Sequence, residues 1–137
     1  IYVDTATEYR DDGMSISYDA GLKMLKVDWI GFQNFESVKY GCLKMYDLLK
    51  ANACSLVLND NTNITGVSDA AEWVGGEWFP MMEAAGLSHF AWVFSTVMFN
   101  NISAQKAVDL KQGGVITQFF TSCEEAQEWL LRSGGIN

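Results

Sequence analysis

The residues best suited to chemistry gather in one polar run: Asn59, Asp60, Asn61, Thr62, Asn63 and Thr65, followed by Ser68 and Asp69. Asn59, Asn61 and Asn63 alternate like the first ligands of a calcium loop. Ile64 stands where that loop needs glycine and Ala70 where it needs the closing glutamate, so no calcium site is expected. Asp60 and Asp69 are the carboxylate set to test for acid–base work. His89 is the single histidine and has no matching cysteine cluster, so it reads as a packed or solvated residue rather than a zinc ligand. Cys42, Cys54 and Cys123 show neither metal-knuckle nor redox-pair spacing. Cys123 sits at a helix start, which lowers a thiol pKa, but Glu124 and Glu125 oppose that and the residue reads as structural. There is no nucleophile–base pair, no glycine-rich phosphate loop and no metal set. The expectation is a non-enzymatic protein without cofactor or metal.

The polar run is positioned by what flanks it. Leu56, Val57 and Leu58 form an apolar run without alternation, the pattern of a strand buried on both faces. A helical pattern begins at Ser68 or Asp69, with Asp69 and Glu72 spaced as a capping box. Strand Ser55 to Leu58, loop Asn59 to Ser68 and the following helix therefore form the centre of the chain. That helix carries Ala70, Val74, Trp78, Met81, Met82 and Ala85 on its apolar side. Pro80, beside Gly75 and Gly76, predicts a kink or break within it, and Gly86 a C-terminal cap.

Upstream, Met14, Ile16 and Tyr18 alternate with Ser15 and Ser17, and Leu25, Val27 and Trp29 alternate with Lys26 and Asp28. With Asp19-Ala20-Gly21 between them, these predict an antiparallel hairpin. Residues 1–13 are less defined, with Tyr2 and Val3 as a candidate edge strand. Asn34 is a candidate N-cap, and Phe35, Val38, Cys42, Met45, Tyr46 and Leu49 recur at steps of three and four, an amphipathic helix. Downstream, Phe90 to Phe94 is a second buried strand, Ser103 to about Leu110 a short helix, and Val115 to Phe120 the last strand. Ser122 and Glu125 form a capping box for a final helix that turns Ala126, Trp129 and Leu130 inward. The predicted class is α/β: an N-terminal β-hairpin, then βα repeats, giving a mixed, mostly parallel sheet of about five strands with about four helices in one domain spanning 1–137.

Charge narrows the partners. The net charge is −8, and all nine basic residues lie at or before Lys50 or at or after Lys106. The middle, which contains Asp60, Asp69, Glu72, Glu77 and Glu83, repels phosphate backbones and anionic headgroups, so nucleic acid is not an expected partner. No apolar run approaches the ~20 residues of a membrane span. Reduced thiols fit a cytoplasmic protein.

The ordered segments resemble the SpoIIAA-like branch of STAS domains, the anti-anti-sigma-factor fold. The residues that carry the likeness are Leu25-Lys26-Val27-Asp28-Trp29-Ile30-Gly31, then Leu56-Val57-Leu58-Asn59-Asp60, then Glu72-Trp73 and Trp78-Phe79-Pro80 with Ala84-Ala85-Gly86-Leu87, and Ser103-Ala104-Gln105-Lys106-Ala107. Phe90-Ala91-Trp92-Val93 and the closing Phe119-Phe120, Glu124-Glu125-Ala126 and Trp129-Leu130 complete it. The likeness runs from about Met14 to Leu131. It implies a small β/α domain with a mixed sheet. In regulatory members of that group a Ser or Thr after the central strand is phosphorylated and switches a protein partner. Ser68 falls at that place, in Thr65-Gly66-Val67-Ser68-Asp69 rather than an Asp-Ser-Ser-Gly motif, and is the candidate phosphosite.

In open sheets of this kind ligands lie beyond the carboxyl ends of the parallel strands. The candidate surface there comprises Asn59, Asp60, Asn61, Thr62, Asn63 and Thr65. The same residue types also belong in turns and caps without any ligand. Trp73, Phe79 and Phe99 are the aromatic candidates for an apolar groove or dimer face, with core packing as their alternative role. The sequence thus favours a non-enzymatic cytoplasmic regulatory domain that binds a protein partner, with homodimerisation open. The alternative is a binder of a small apolar or lipid-like ligand in a groove lined by aromatic and methionine side chains.

Overall fold

The computed structural model describes residues 5–99, 109 and 114–135; the side chains of residues 5, 6 and 99 fall outside the description. Strands β1 (Thr5–Arg10), β2 (Met14–Asp19), β3 (Met24–Gln33), β4 (Leu56–Val67), β5 (His89–Val93) and β6 (Ile116–Phe120) form one sheet in sequential order. β1–β2 and β2–β3 are antiparallel, while β3–β4, β4–β5 and β5–β6 are parallel. The expected class holds, with six strands rather than about five. The additional one is the edge strand Thr5–Arg10, which lies in the stretch the sequence left undefined. The candidate strand residues Tyr2 and Val3 lie outside the described residues, as does the expected helix from Ser103 apart from residue 109, which is helical.

Parallel strands added in one direction by right-handed crossovers put their connecting helices on one face of the sheet. Helix α1 (Phe35–Ala51) and the segment between β4 and β5 pack there, against Ile16, Leu25, Val27, Val57, Phe90 and Trp92. The chain then leaves β6, and helix α5 (Cys123–Leu130) returns across the opposite face. It covers Met24, Leu56, Leu58, Ala91 and Val93 with Ala126, Trp129 and Leu130. Two cores result, one per face, as the period-2 alternation of each strand requires.

The local signals for α1 are borne out. Asn34 accepts the N–H of Ser37 at 2.8 Å, and Ser37 Oγ accepts the N–H of Asn34 at 2.9 Å, a reciprocal cap. Cys42, Met45 and Leu49 of its stripe are buried, with Phe35, Val38 and Tyr46 partly so. Gly41 lets α1 lie against the sheet, because a Cβ there would come within 2.7 Å of Met14 Sδ and clash with Cη2 and Cζ3 of Trp29.

The second helical segment departs from expectation in an instructive way. It runs as α2 (Ala71–Trp73), a π turn (Val74–Trp78) and α3 (Phe79–Ala84). Pro80 has no N–H for the Gly76 carbonyl. The chain absorbs this by widening the preceding turn, where the Phe79 N–H donates to Val74 O, five residues back. The result is a bulged helix rather than a break. The π turn faces Trp78 toward α1, whose Cys42 carbonyl accepts the indole N–H at 2.8 Å. The helix starts one residue later than a capping box on Asp69 and Glu72 requires. Ala70 occupies the N-cap, and Asp69 Oδ1 accepts the Ala71 N–H at 3.1 Å.

Candidate functional site

The stretch read as a loop, Asn59 to Ser68, is largely strand. β4 continues to Val67 because β3 continues to Gln33, and the two pair beyond the rest of the sheet. The pairing slips twice. Asp28 faces Asp60 but Ile30 faces Asn63, and Gly31 faces Ile64 but Phe32 faces Gly66. Each slip places an extra residue in β4, and such bulges re-aim side chains out of strict alternation. Asp60 Oδ1 supports the first by accepting the N–H of Thr62 at 2.9 Å and the hydroxyl of the same residue. The expectation of a turn failed here because Asn, Thr and Gly suit a bulged strand as well as a turn.

Beneath this extension, on the α1 face, lies a cavity of about 490 Å³ at the carboxyl ends of β3, β4 and β5. This is the place expected for a ligand site in an open parallel sheet. Its apolar walls include Trp29, Val74, Trp78, Phe90, Phe94 and Met98. Asn59, Asn61, Thr65 and Gln33 supply the polar lining. None of the described lining residues carries a formal charge.

The polar lining is largely committed. Gln33 is buried, its Nε2 donating to Gly13 O at 3.0 Å and Ile30 O at 2.9 Å, and its Oε1 accepting Ser37 Oγ–H at 2.8 Å. Trp29 Nε1 donates to Asn59 Oδ1 at 2.9 Å, and Asn59 Nδ2 donates to Asn61 Oδ1 at 3.0 Å. Trp92, also on the wall and 8% exposed, has an indole N–H with no partner among the described residues.

The remaining candidates fall elsewhere. Thr62 and Asn63 are exposed on the β4 extension. Ser68 is exposed just past it, its N–H donating to Gln33 O at 3.0 Å. Trp73 is half-buried, edge-on to Phe35 at 6.4 Å between centroids. Phe79 is fully buried among Trp78, Phe90 and Trp92, which makes it core rather than groove wall. Phe99 ends the short helix α4 (Thr96–Phe99), and its side chain is outside the described residues.

Asp60 turns to the other face, where a second pocket of about 390 Å³ is lined by Ser15, Ser17, Lys26, Asp28, Asp60 and Cys123 among others. The carboxylate beside it is Asp28, its register partner across β3–β4. Burial raises the Asp28 pKa, and the charge of Asp60 raises it further. The Cys123 thiol donates to Asp60 Oδ2 at 3.4 Å. Burial, then Asp60, push its pKa up to about 12, so the helix start does not activate it. No group of three or more metal-ligating side chains occurs among the described residues. Sequence inspection missed Asp28, Trp29, Gln33 and Trp92. Strand parity was the available signal for Trp29, because Asn59 continues the alternation of Val57 onto the same face.

No protein-family model matches the chain, and no curated protein is recognisably similar to it. Among solved structures, an uncharacterised protein of the DUF3478 family with a SpoIIAA-like fold, from Shewanella loihica PV-4, covers 95% of this chain and 96% of its own. The TM-score is 0.52 and the identity 18%. The fold is thus SpoIIAA-like, as the resemblance implied.

Proposed function

We propose that this chain is a single, non-enzymatic STAS-like regulatory domain, working in the cytoplasm, that binds a small and mostly apolar molecule in the cavity beneath the β3–β4 extension. One observation carries the proposal: an aromatic-walled space of about 490 Å³ at the carboxyl ends of three parallel strands. That volume lies within the range of small-molecule sites, and a few polar groups among apolar walls is their usual chemistry. Native mass spectrometry of protein isolated gently from its own host tests it. The expected result is a bound species of a few hundred daltons that leaves on activation and is absent from Ala71→Leu, which fills part of the cavity. Retention of the same species by that variant counts against the cavity as its location.

A second reading, contact with a protein partner or a second copy, is favoured by one further observation. Ile30, Phe32 and Val67 are 44%, 66% and 38% exposed on the same β3–β4 extension. Val67 also lines the cavity, so occupancy and this surface share a residue. Exposed Ser68, which follows Val67, is the proposed phosphosite of that reading. Sedimentation of the parent and of Phe32→Glu tests the contact: a dimer or heterocomplex that dissociates in the variant supports it, and a monomer in both removes the homodimer.

A further inference from the structure

The hydrogen bonds at the cavity run in a fixed direction. An indole N–H can only donate. Trp29 Nε1 therefore sets which end of the Asn59 amide faces it: the oxygen, at 2.9 Å. The amide nitrogen of Asn59 must then face Asn61, whose oxygen accepts it at 3.0 Å. This leaves Asn61 Nδ2 turned away from Asn59 with two N–H groups and no partner among the described residues. The orientation of both amides follows from a donor that cannot be reversed, not from a free choice of flip. Trp92 adds a second unpartnered N–H on the same wall. Gln33 offers nothing, because both of its amide N–H groups and its oxygen are used within the protein.

The cavity therefore presents donors that no described residue accepts, on buried Trp92 and on partly exposed Asn61, in a lining whose described residues include neither cation nor anion. A buried carboxylate or phosphate would go without a counter-charge there, and so would an ammonium group. Resting on the reading of this cavity as a ligand site, we infer that its occupant is an uncharged, mostly apolar molecule that presents a carbonyl-type oxygen to the Asn61 amide. A neutral acceptor satisfies the free N–H groups, and its apolar body lies against Trp78, Phe90 and Phe94. This excludes free fatty acids and anionic lipid headgroups as occupants.

Four naphthalene probes separate this inference from the broader reading: 1-acetonaphthone, its hydrocarbon counterpart 1-ethylnaphthalene, 1-naphthoate and 1-naphthylmethylamine. Affinity is read by tryptophan fluorescence with the full chain at neutral pH. The ketone is expected to bind about 3- to 10-fold tighter than the hydrocarbon, the span of one net hydrogen bond. The naphthoate and the amine are expected at least about 10-fold weaker than the ketone. Asn61→Leu should erase the ketone's advantage over the hydrocarbon, read as the ratio of the two affinities in the same variant. Asn61→Asp still accepts from Asn59 Nδ2, so it keeps the internal contact, and it should shift preference to the amine. If Asn61→Leu fails to fold, the aspartate variant alone decides. Equal binding of ketone and hydrocarbon, or tightest binding of the naphthoate, overturns the inference and leaves an apolar site standing. Failure of all four to bind overturns the site and the inference together.

Discussion

The indole N–H of Trp29 donates to the side-chain oxygen of Asn59 at 2.9 Å, joining neighbouring parallel strands on the cavity side of the sheet. Both residues are buried. Asn59→Leu leaves that N–H buried and unpaired, which costs about 1–3 kcal/mol. Replacing both partners, Trp29→Phe with Asn59→Leu, removes the orphaned donor. Chemical denaturation of the two single variants and the double should show the double less destabilised than the sum of the singles. Strict additivity would mean that the bond contributes nothing beyond packing.

Gly41→Ala tests how tightly α1 sits on the same tryptophan. Alanine is the better helix former by about 1 kcal/mol. Its Cβ would nevertheless lie 2.9 Å from Trp29 Cζ3 and 2.7 Å from Met14 Sδ, and both side chains are buried. Trp29 is also held by its bond to Asn59, so it cannot swing aside freely. The overpacking outweighs the propensity gain, and a net loss of about 1–2 kcal/mol is expected in denaturant unfolding.

Asp28 gives a pH dependence of defined sign. The pKa of its carboxyl is raised from 3.8, first by burial and then by Asp60, against a smaller opposing hydrogen bond from Asn63, and its Oδ1 is buried without a partner. The folded state therefore favours the protonated form. This contribution is complete below the unfolded pKa and is lost as pH rises through the folded one. Asp28→Asn stays neutral throughout. It should melt above the parent at pH 7, with the gap closing as the pH falls toward 3. A variant that melts below the parent at pH 7 would mean that the hydrogen bond from Asn63 outweighs burial and Asp60.

The thiols should be quiet in the folded protein. Cys42 and Cys54 are buried, and Cys123 is held protonated, with a pKa of about 12, by burial and then by Asp60. A disulfide reagent at pH 8 should label none of them rapidly until denaturant is added, because the thiolate is the nucleophile. Asp60→Asn removes one of the two leading causes at Cys123 and should speed its labelling several-fold, leaving Cys42 unchanged. Rapid labelling of Cys123 in the parent would contradict the Asp60 contact.

Local signals carried much of the fold. The alternation in Met14–Tyr18 and Leu25–Trp29, the stripe of α1, the Asn34 and Ser122 caps and the apolar run at Leu56 each act within a few residues. Those elements were legible in the sequence, and with right-handed crossovers they specify a mixed sheet. The SpoIIAA-like resemblance rested on their order.

The site depended on relations between distant segments. β4 runs through Asn59–Val67 as strand only because Ile30–Gln33 lies beside it, a pairing across some thirty residues that composition favouring turns concealed. The two bulges change which side chains face the cavity, so parity alone could not assign Asn61 or Thr65 to it. Phe79 is indistinguishable from a groove residue in sequence and becomes core because the π turn before Pro80 rotates the helix around it. Most elements, their order and a middle without basic residues could be read from the chain, because propensity, capping and charge are short-range or additive properties. Register, bulges and the shape of the cavity were decided by tertiary structure alone, because each depends on how two surfaces remote in sequence come to rest against one another.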